Sequence, residues 1–193
     1  LRFSTLADDF REAGYATGLV GKWHNGAHDR RYHPLNRGFQ EFTGFCNGGM
    51  DYYEWEIERN GNKERSDGRY LTHVFSEAAT HFISEHSQDP FFLWLTYNAP
   101  HAPFQAPAKR VDYYRKQFPD LSNEVSTVYA MIEEMDQGIG EVLQTLEDLN
   151  LSEETLVLFS SDNGPFLQGD FQRYNGSLRG EEGGVYEGGI HVP

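Results

Sequence analysis

Side chains suited to hydrolytic chemistry occur in three short clusters, and each cluster directly follows an apolar run of the sequence. In chain order the clusters contain Lys22 with His24, then His101, then Asp162 with Asn163. If the apolar runs are parallel β-strands, their carboxyl ends lie at one edge of a sheet, where α/β proteins bind ligands. The sequence therefore predicts a convergent polar site built from lysine, histidine, aspartate and asparagine side chains.

The first two clusters supply groups that bind anions and transfer protons. Lys22 and His24 are two positions apart in an extended segment, so both side chains can face the same side. His101 lies between Pro100 and Pro103, whose rings stiffen the loop and fix the position of the imidazole. Taken one at a time, these residues are equally typical of a surface lysine, a loop histidine and a proline-rich turn.

The third cluster, Asp162-Asn163-Gly164, is typical of a turn. It also offers a carboxylate and an amide oxygen, which are the ligands that calcium and magnesium prefer. Two ligands do not complete such a site, so at least two more must come from elsewhere.

The spacing of apolar residues predicts helices that alternate with buried strands. Helices are expected at 4–14, 70–87 and 125–149. Ser4 is the expected cap of the first helix, and Gly138 and Gly140 are expected to weaken the last one. Nearly continuous apolar runs predict buried strands at 15–21, 91–98 and 155–164. We therefore predict an α/β fold with a largely parallel sheet and helices on both faces.

The composition excludes several partners. The chain of 193 residues carries a net charge of -14, which repels nucleic acid and anionic membranes. No apolar run approaches the roughly 20 residues needed to span a bilayer. Cys46 is the only cysteine, so no internal disulfide can form, and we expect it to be structural rather than reactive.

Five sequence blocks carry a resemblance to a known family. The segment GYATGLVGKWHNG at 14–26 resembles the sulfatase pattern G-Y-x-T-x-x-x-G-K-W-H-L-G. The later blocks PLNRGFQEFTGF, PHAPFQAP, TLVLFSSDNG and SLRGEEGGVYEGGIHVP are similar to sulfatase blocks and occur in the family's order. Over nearly its whole length the chain therefore resembles an arylsulfatase-type member of the alkaline-phosphatase-like superfamily.

The resemblance implies a role for each residue of the three clusters. Lys22 would hold the sulfate and the oxygen of a formylglycine nucleophile, and His24 would act on the formylglycine hydroxyl. His101 would contact the sulfate and help to protonate the leaving alcohol. Asp162 and Asn163 would be ligands of a metal ion, most often calcium, with magnesium as the alternative.

The sequence departs from the family pattern in two ways. The Cys/Ser-x-Pro-x-Arg block that yields formylglycine is absent, so the resemblance implies that 1–193 is an internal part of one catalytic domain, truncated at both ends. The nucleophile and the remaining metal ligands would then lie upstream of Leu1. Glu182 occupies the position of a sulfate-binding lysine. A carboxylate about 4 Å from a sulfate oxygen repels it by roughly 4 kcal/mol at an effective dielectric constant near 20.

Three functions are compatible with these features. The first is hydrolysis of a small-molecule or carbohydrate sulfate ester, by an enzyme that the resemblance places outside the cytoplasm. The second is hydrolysis of a phosphate or phosphonate ester by the same chemistry. The third is a non-catalytic binding protein, which Glu182 would favour. The aromatic stretch at 50–61 fits a surface hairpin with its turn at Asn60-Gly61 or, alternatively, the lining of a sugar-binding cleft.

Overall fold

The computed structural model describes residues 3–193 and contains a five-stranded sheet with helices on both faces. Its main elements are α1 (Leu6–Glu12), β1 (Ala16–Lys22), β2 (Glu41–Phe45), β3 (Glu56–Arg59), β4 (Asn62–Arg65), α2 (Leu71–Glu85), β5 (Phe91–Thr96), α3 (Ala108–Gln117), α4 (Asn123–Asp148) and α5 (Glu187–Ile190). The strand order is β4-β3-β2-β1-β5. β1 runs parallel to β2 and β5, while β3 and β4 form an antiparallel hairpin. The predicted α/β fold is confirmed.

The alternation of side chains along the strands builds two separate apolar layers. Leu19 and Phe42 face one side of the sheet, where they pack with Ala7 of α1. The next residue of β1, Val20, faces the other side and packs with Val74 and Phe75 of α2. Because successive strand residues point to opposite faces, one apolar run can bury its side chains in both layers.

The first helix begins one residue later than the sequence predicted. Thr5, rather than Ser4, is the N-cap, since the Asp8 backbone N–H donates to the Thr5 hydroxyl at 3.1 Å. The Asp8 carboxylate accepts from the Thr5 backbone N–H at 2.8 Å. This reciprocal capping box needs an acidic side chain three residues after the cap, and Asp8 is that residue for Thr5.

The predicted strand at 155–164 is wrong. No described strand pairs with these residues, and the side chains of Leu156 and Leu158 are each 84% exposed. An apolar run forms a strand only where a neighbour satisfies its backbone hydrogen-bonding groups, and this run has no such neighbour in the described part of the chain. β5 was likewise predicted to be buried on both faces. It pairs only with β1, and its Trp94 is 46% exposed.

A buried carboxylate joins the three longest helices. Glu134 of α4 accepts from the Arg110 guanidinium of α3 at 3.1 Å and lies 2.7 Å from the His73 imidazole of α2. A buried carboxylate is tolerated only when its oxygens have such partners. The beginning of α3 is therefore fixed against α2 and α4. The end of the loop that precedes α3 is fixed with it. None of the described helices is long and apolar enough to cross a membrane.

The long helix α4 runs without interruption through both of its glycines. Ser122 caps it by accepting from the Val125 N–H at 3.1 Å. Gly138 lies against α2, where an added β-carbon would collide with the Ser76 hydroxyl and stand 2.9 Å from the Tyr97 hydroxyl oxygen. Gly140, by contrast, has no heavy atom within 4 Å of such a β-carbon. Gly138 therefore permits close packing of α4 against α2, whereas a β-carbon at Gly140 would meet no described neighbour.

Alanine substitution should separate the two glycines. Gly140→Ala should raise the free energy of unfolding by about 1 kcal/mol, because alanine favours the helix and meets no neighbour. Gly138→Ala should lower it by about 1–3 kcal/mol, because the new methyl group overpacks the contact with α2. Urea denaturation followed by circular dichroism measures both, and equal effects would contradict this account of α4.

Candidate active site

Trp23 fixes the segment that carries the first cluster. Its backbone N–H donates to the Phe45 carbonyl at 2.8 Å, and its indole N–H donates to the Tyr32 carbonyl at 2.8 Å. The indole is buried in the apolar layer that contains α1. Because neighbouring side chains of an extended segment point to opposite sides, Lys22 and His24 are directed away from that layer. Lys22 is half-buried and His24 is exposed.

The loop after β5 fixes both the position and the tautomer of His101. The His101 backbone N–H donates to the Asn98 carbonyl at 2.8 Å, and the ring Nδ1 lies 2.7 Å from the Ala102 carbonyl oxygen. Because a carbonyl oxygen can only accept, Nδ1 carries the proton in this contact. Nε2 is then the ring atom available for proton exchange with another group.

Two glycines bring the two predicted catalytic histidines together. A β-carbon on Gly48 would stand 2.8 Å from Cε1 and Nε2 of His24, and one on Gly49 would stand 3.7 Å from Cε1 and Nδ1 of His101. Since consecutive Cα atoms are about 3.8 Å apart, the two imidazoles lie within about 13 Å of each other. The convergence of His24 and His101 follows from the ends of β1, β2 and β5 meeting at one edge of the sheet.

A polar network ties the segment after β2 to the His101 loop. The buried Tyr52 hydroxyl donates to the His101 carbonyl at 3.0 Å. The Gln105 side chain accepts from the Tyr52 N–H at 2.9 Å and donates to the Asp51 carboxylate at 2.7 Å. Hydrogen bonds from the Glu54 N–H, then the Tyr53 N–H and Gln105, hold the pKa of Asp51 below its usual value.

Sequence reasoning missed this network because its partners are more than 45 residues apart. It also settles the alternatives for the aromatic stretch at 50–61. Tyr52 and Trp55 are buried in the core, and the Trp55 indole N–H donates to the Arg69 carbonyl at 2.9 Å. These aromatics stabilise the fold, and the hairpin turn at Asn60-Gly61 joins β3 to β4 as expected.

Asn98, two residues after β5, is buried, and no described residue hydrogen-bonds to either end of its side-chain amide. Its exposed fraction is 3%, so water does not replace the missing partners at the surface. A buried amide without partners costs about 1–3 kcal/mol. The Asn98 amide, at the carboxyl end of β5 beside the His101 loop, can therefore still donate and accept hydrogen bonds.

Asp162 and Asn163 occupy a different setting from the one predicted. They follow the irregular run at 155–160 rather than a strand of the sheet, and Asp162 is exposed. The Asn163 amide nitrogen donates to the Gly164 carbonyl at 2.9 Å, which leaves its oxygen free to bind a cation. Their chemistry fits a hard cation. However, calcium takes about six to eight oxygen ligands, and residues 3–193 contain no group of three or more His, Cys, Asp or Glu that could hold a metal.

Glu182, the residue at the expected lysine position, is exposed and close enough to the Arg173 guanidinium to influence its charge. Burial lowers the pKa of Arg173, while Tyr129 and Glu182 act to raise it. No described residue hydrogen-bonds to the buried Nη1 atom of Arg173. No sequence pattern indicates this cation, because it precedes the Leu-Arg-Gly block and approaches Glu182 only in the folded chain.

Comparisons with known proteins identify the family and the fold. The family model Sulfatase matches residues 1–193. The uncharacterized sulfatase YdeN of Escherichia coli is 33% identical over 97% of this chain and 37% of its own length. Arylsulfatase J of Mus musculus is 31% identical over 98% of this chain and 33% of its own length. The crystal structure of Ps i-CgsB in complex with k-i-k-neocarrahexaose superposes with a TM-score of 0.86 at 32% identity, covering 97% of this chain and 45% of that one.

The chain belongs to the sulfatase family, and its fold is that of the alkaline-phosphatase-like superfamily. It spans little more than a third of the length of the curated relatives it matches.

Cys46 does not contribute a nucleophile to this region. Burial, and to a lesser extent the Glu58 carboxylate, raise the pKa of its thiol to about 11. The thiol is therefore protonated at neutral pH, and a protonated thiol is a poor nucleophile.

Alkylation should reveal this difference. At pH 8, iodoacetamide should modify Cys46 of the folded chain roughly a hundredfold more slowly than an ordinary cysteine, given a pKa about two units higher. The rate should climb as the pH approaches 11 and should become ordinary in urea. Mass spectrometry of timed samples measures it, and rapid labelling at pH 8 would show that the thiol is not protected.

Proposed function

We propose that the protein hydrolyses sulfate esters with a formylglycine nucleophile that lies outside these 193 residues. The observation that carries the proposal is the convergence of His24 and His101 on Gly48 and Gly49. Lys22 stands at the end of the strand that leads to His24. Family membership supplies the reaction class, since the relatives above are named as sulfatases.

In this proposal His101 transfers a proton to the leaving alcohol. Its Nδ1–H is engaged by the Ala102 carbonyl, so Nε2 must carry the second proton before reaction and release it as the ester bond breaks. Lys22 attracts the sulfate oxygens, and His24 removes the proton of the nucleophile's hydroxyl group so that sulfate is released. The two histidines thus act in different steps.

The metal part of the proposal assigns Asp162 and Asn163 as ligands of calcium, with magnesium as the alternative. A bound divalent cation would polarise the sulfate oxygens. The carboxylate oxygens of Asp162 and the free amide oxygen of Asn163 are suitable donors. The family resemblance implies that the further carboxylate ligands lie outside the described residues.

The substrate proposed is a small-molecule or carbohydrate sulfate ester. The oligosaccharide in the Ps i-CgsB structure supports the carbohydrate class. On the family resemblance we also propose that the protein works outside the cytoplasm.

An activity assay on the protein at its natural length, coexpressed with a formylglycine-generating enzyme, tests the reaction. It should hydrolyse 4-nitrophenyl sulfate in a calcium-dependent manner, and His101→Ala should lower kcat by about 10²- to 10⁴-fold, the usual contribution of general acid catalysis. Lys109→Ala, which changes an exposed residue of α3, is the control.

Two further measurements on the same protein separate the sulfatase from the two alternative functions. Faster turnover of a phosphonate monoester than of the sulfate ester would favour the second reaction class. Calcium binding in isothermal titration calorimetry without turnover of either ester would favour a non-catalytic binding protein.

Glu182 gives a sharper prediction about sulfate binding. We expect Glu182→Lys to raise kcat/KM for an aryl sulfate about tenfold, because it replaces a repulsive charge by an attractive one whose individual contribution reaches a few kcal/mol at contact distance. Glu153→Lys makes the same charge change at an exposed position in the turn after α4 and should have little effect. An unchanged or lower kcat/KM in Glu182→Lys would mean that Glu182 does not face the sulfate.

A further inference from the structure

The imidazole of His24 lacks the hydrogen bonds that would normally hold a catalytic histidine in place. No described residue hydrogen-bonds to either ring nitrogen, and the residue is exposed. The ring of His101, in contrast, is held by the Ala102 carbonyl. The orientation of the His24 ring must therefore come from packing.

Gly48 provides that packing surface. A β-carbon at this position would stand 2.8 Å from two atoms of the His24 ring, closer than real β-carbons approach a neighbour. The ring thus lies against the bare backbone of Gly48. An alanine would leave it no room in its present position, and because the ring is the free end of a side chain, the ring would move rather than the backbone.

The backbone on which the ring rests is itself well anchored. On one side, β2 ends at Phe45, whose carbonyl accepts from the Trp23 N–H. On the other side, Asp51 and Tyr52 are bonded to Gln105 in the His101 loop. Gly48 lies between these two anchors, only three residues from each.

We propose that Gly48 is a positioning residue that sets the orientation of the His24 imidazole. This proposal rests on the proposed function for the catalytic meaning of His24, but its structural part does not. Gly140 of α4 is a matched control for the glycine-to-alanine change, since a β-carbon there has no described heavy atom within 4 Å. Alanine should therefore displace the His24 ring at position 48 and leave both histidine rings in place at position 140.

Nuclear magnetic resonance of the histidine side chains tests the structural part. In Gly48→Ala the His24 ring signals should shift while those of His101 stay, and Gly140→Ala should leave both close to their original positions. Unchanged His24 signals in a folded Gly48→Ala chain would overturn the proposal. If Gly48→Ala does not fold, the double variant His24→Ala/Gly48→Ala should fold, because the clash is gone. A double variant that also fails would show that Gly48 serves the fold instead.

Kinetics at natural length test the functional part. Gly48→Ala should lower kcat for 4-nitrophenyl sulfate by about 10- to 100-fold, the usual effect of a catalytic group displaced by about 1 Å, with KM changed less than about threefold. Gly140→Ala, at a position outside the candidate site, should keep most of its kcat. A shift of the His24 signals without loss of kcat would retain Gly48 as the residue that orients the ring. It would remove His24 from the proposed reaction. Loss through KM alone would contradict the assigned role of positioning in catalysis.

Discussion

The parallel pairing of β1 with β2 on one side and β5 on the other is the constraint on which the rest of the structure depends. It aligns Lys22 with Phe45 and Gly21 with Thr96, so three chain segments leave the sheet at the same edge. The loops that follow these strands are then obliged to meet, whatever their sequences. Their meeting brings a cation and two imidazoles into one region of a chain whose net charge is strongly negative. In the proposed function, these nearby groups would attract a sulfate ester that the net charge of the whole chain repels.

A second level of organisation holds the loops in place. Polar groups do this work at the rim of the site: Tyr52 and Gln105 join the segment after β2 to the loop after β5, and Glu134 holds the helix into which that loop runs. The bonded groups are largely shielded from water, so their hydrogen bonds keep more of their strength than exposed ones do. A rim built in this way allows the proposed catalytic side chains, especially His24, to remain exposed without losing their geometry.

The sequence was sufficient for features that depend on neighbours in the chain. The helices α1, α2 and α4, the hairpin at Asn60-Gly61 and the positions of Lys22 and His101 at or after strand ends follow from periodicity and local motifs, whereas α3 and α5 were not predicted. The strand at 155–164 failed because apolar composition indicates only a tendency to be buried, while a strand also requires a partner. Gly48 escaped notice because its contribution is the absence of a side chain, which no pattern records. Arg173 escaped notice because its approach to Glu182 exists only in the folded chain. The proposed roles at the site stay predictions.

The two outer strands of the sheet differ in charge, and this difference affects how readily the chain self-associates in solution. β4, at one edge, carries Lys63 and Arg65, and such charges discourage a second molecule from adding a strand. β5, the outer strand on the opposite side, reads FFLWLT and has no charge, proline or bulge, and residues 156–159 expose further apolar side chains. Molecules that each carry a charge of -14 repel one another, and this repulsion opposes self-association through β5. Salt shortens the range of that repulsion to about 8 Å at physiological ionic strength, so colloidal stability of the chain is an electrostatic property that decreases as salt is added.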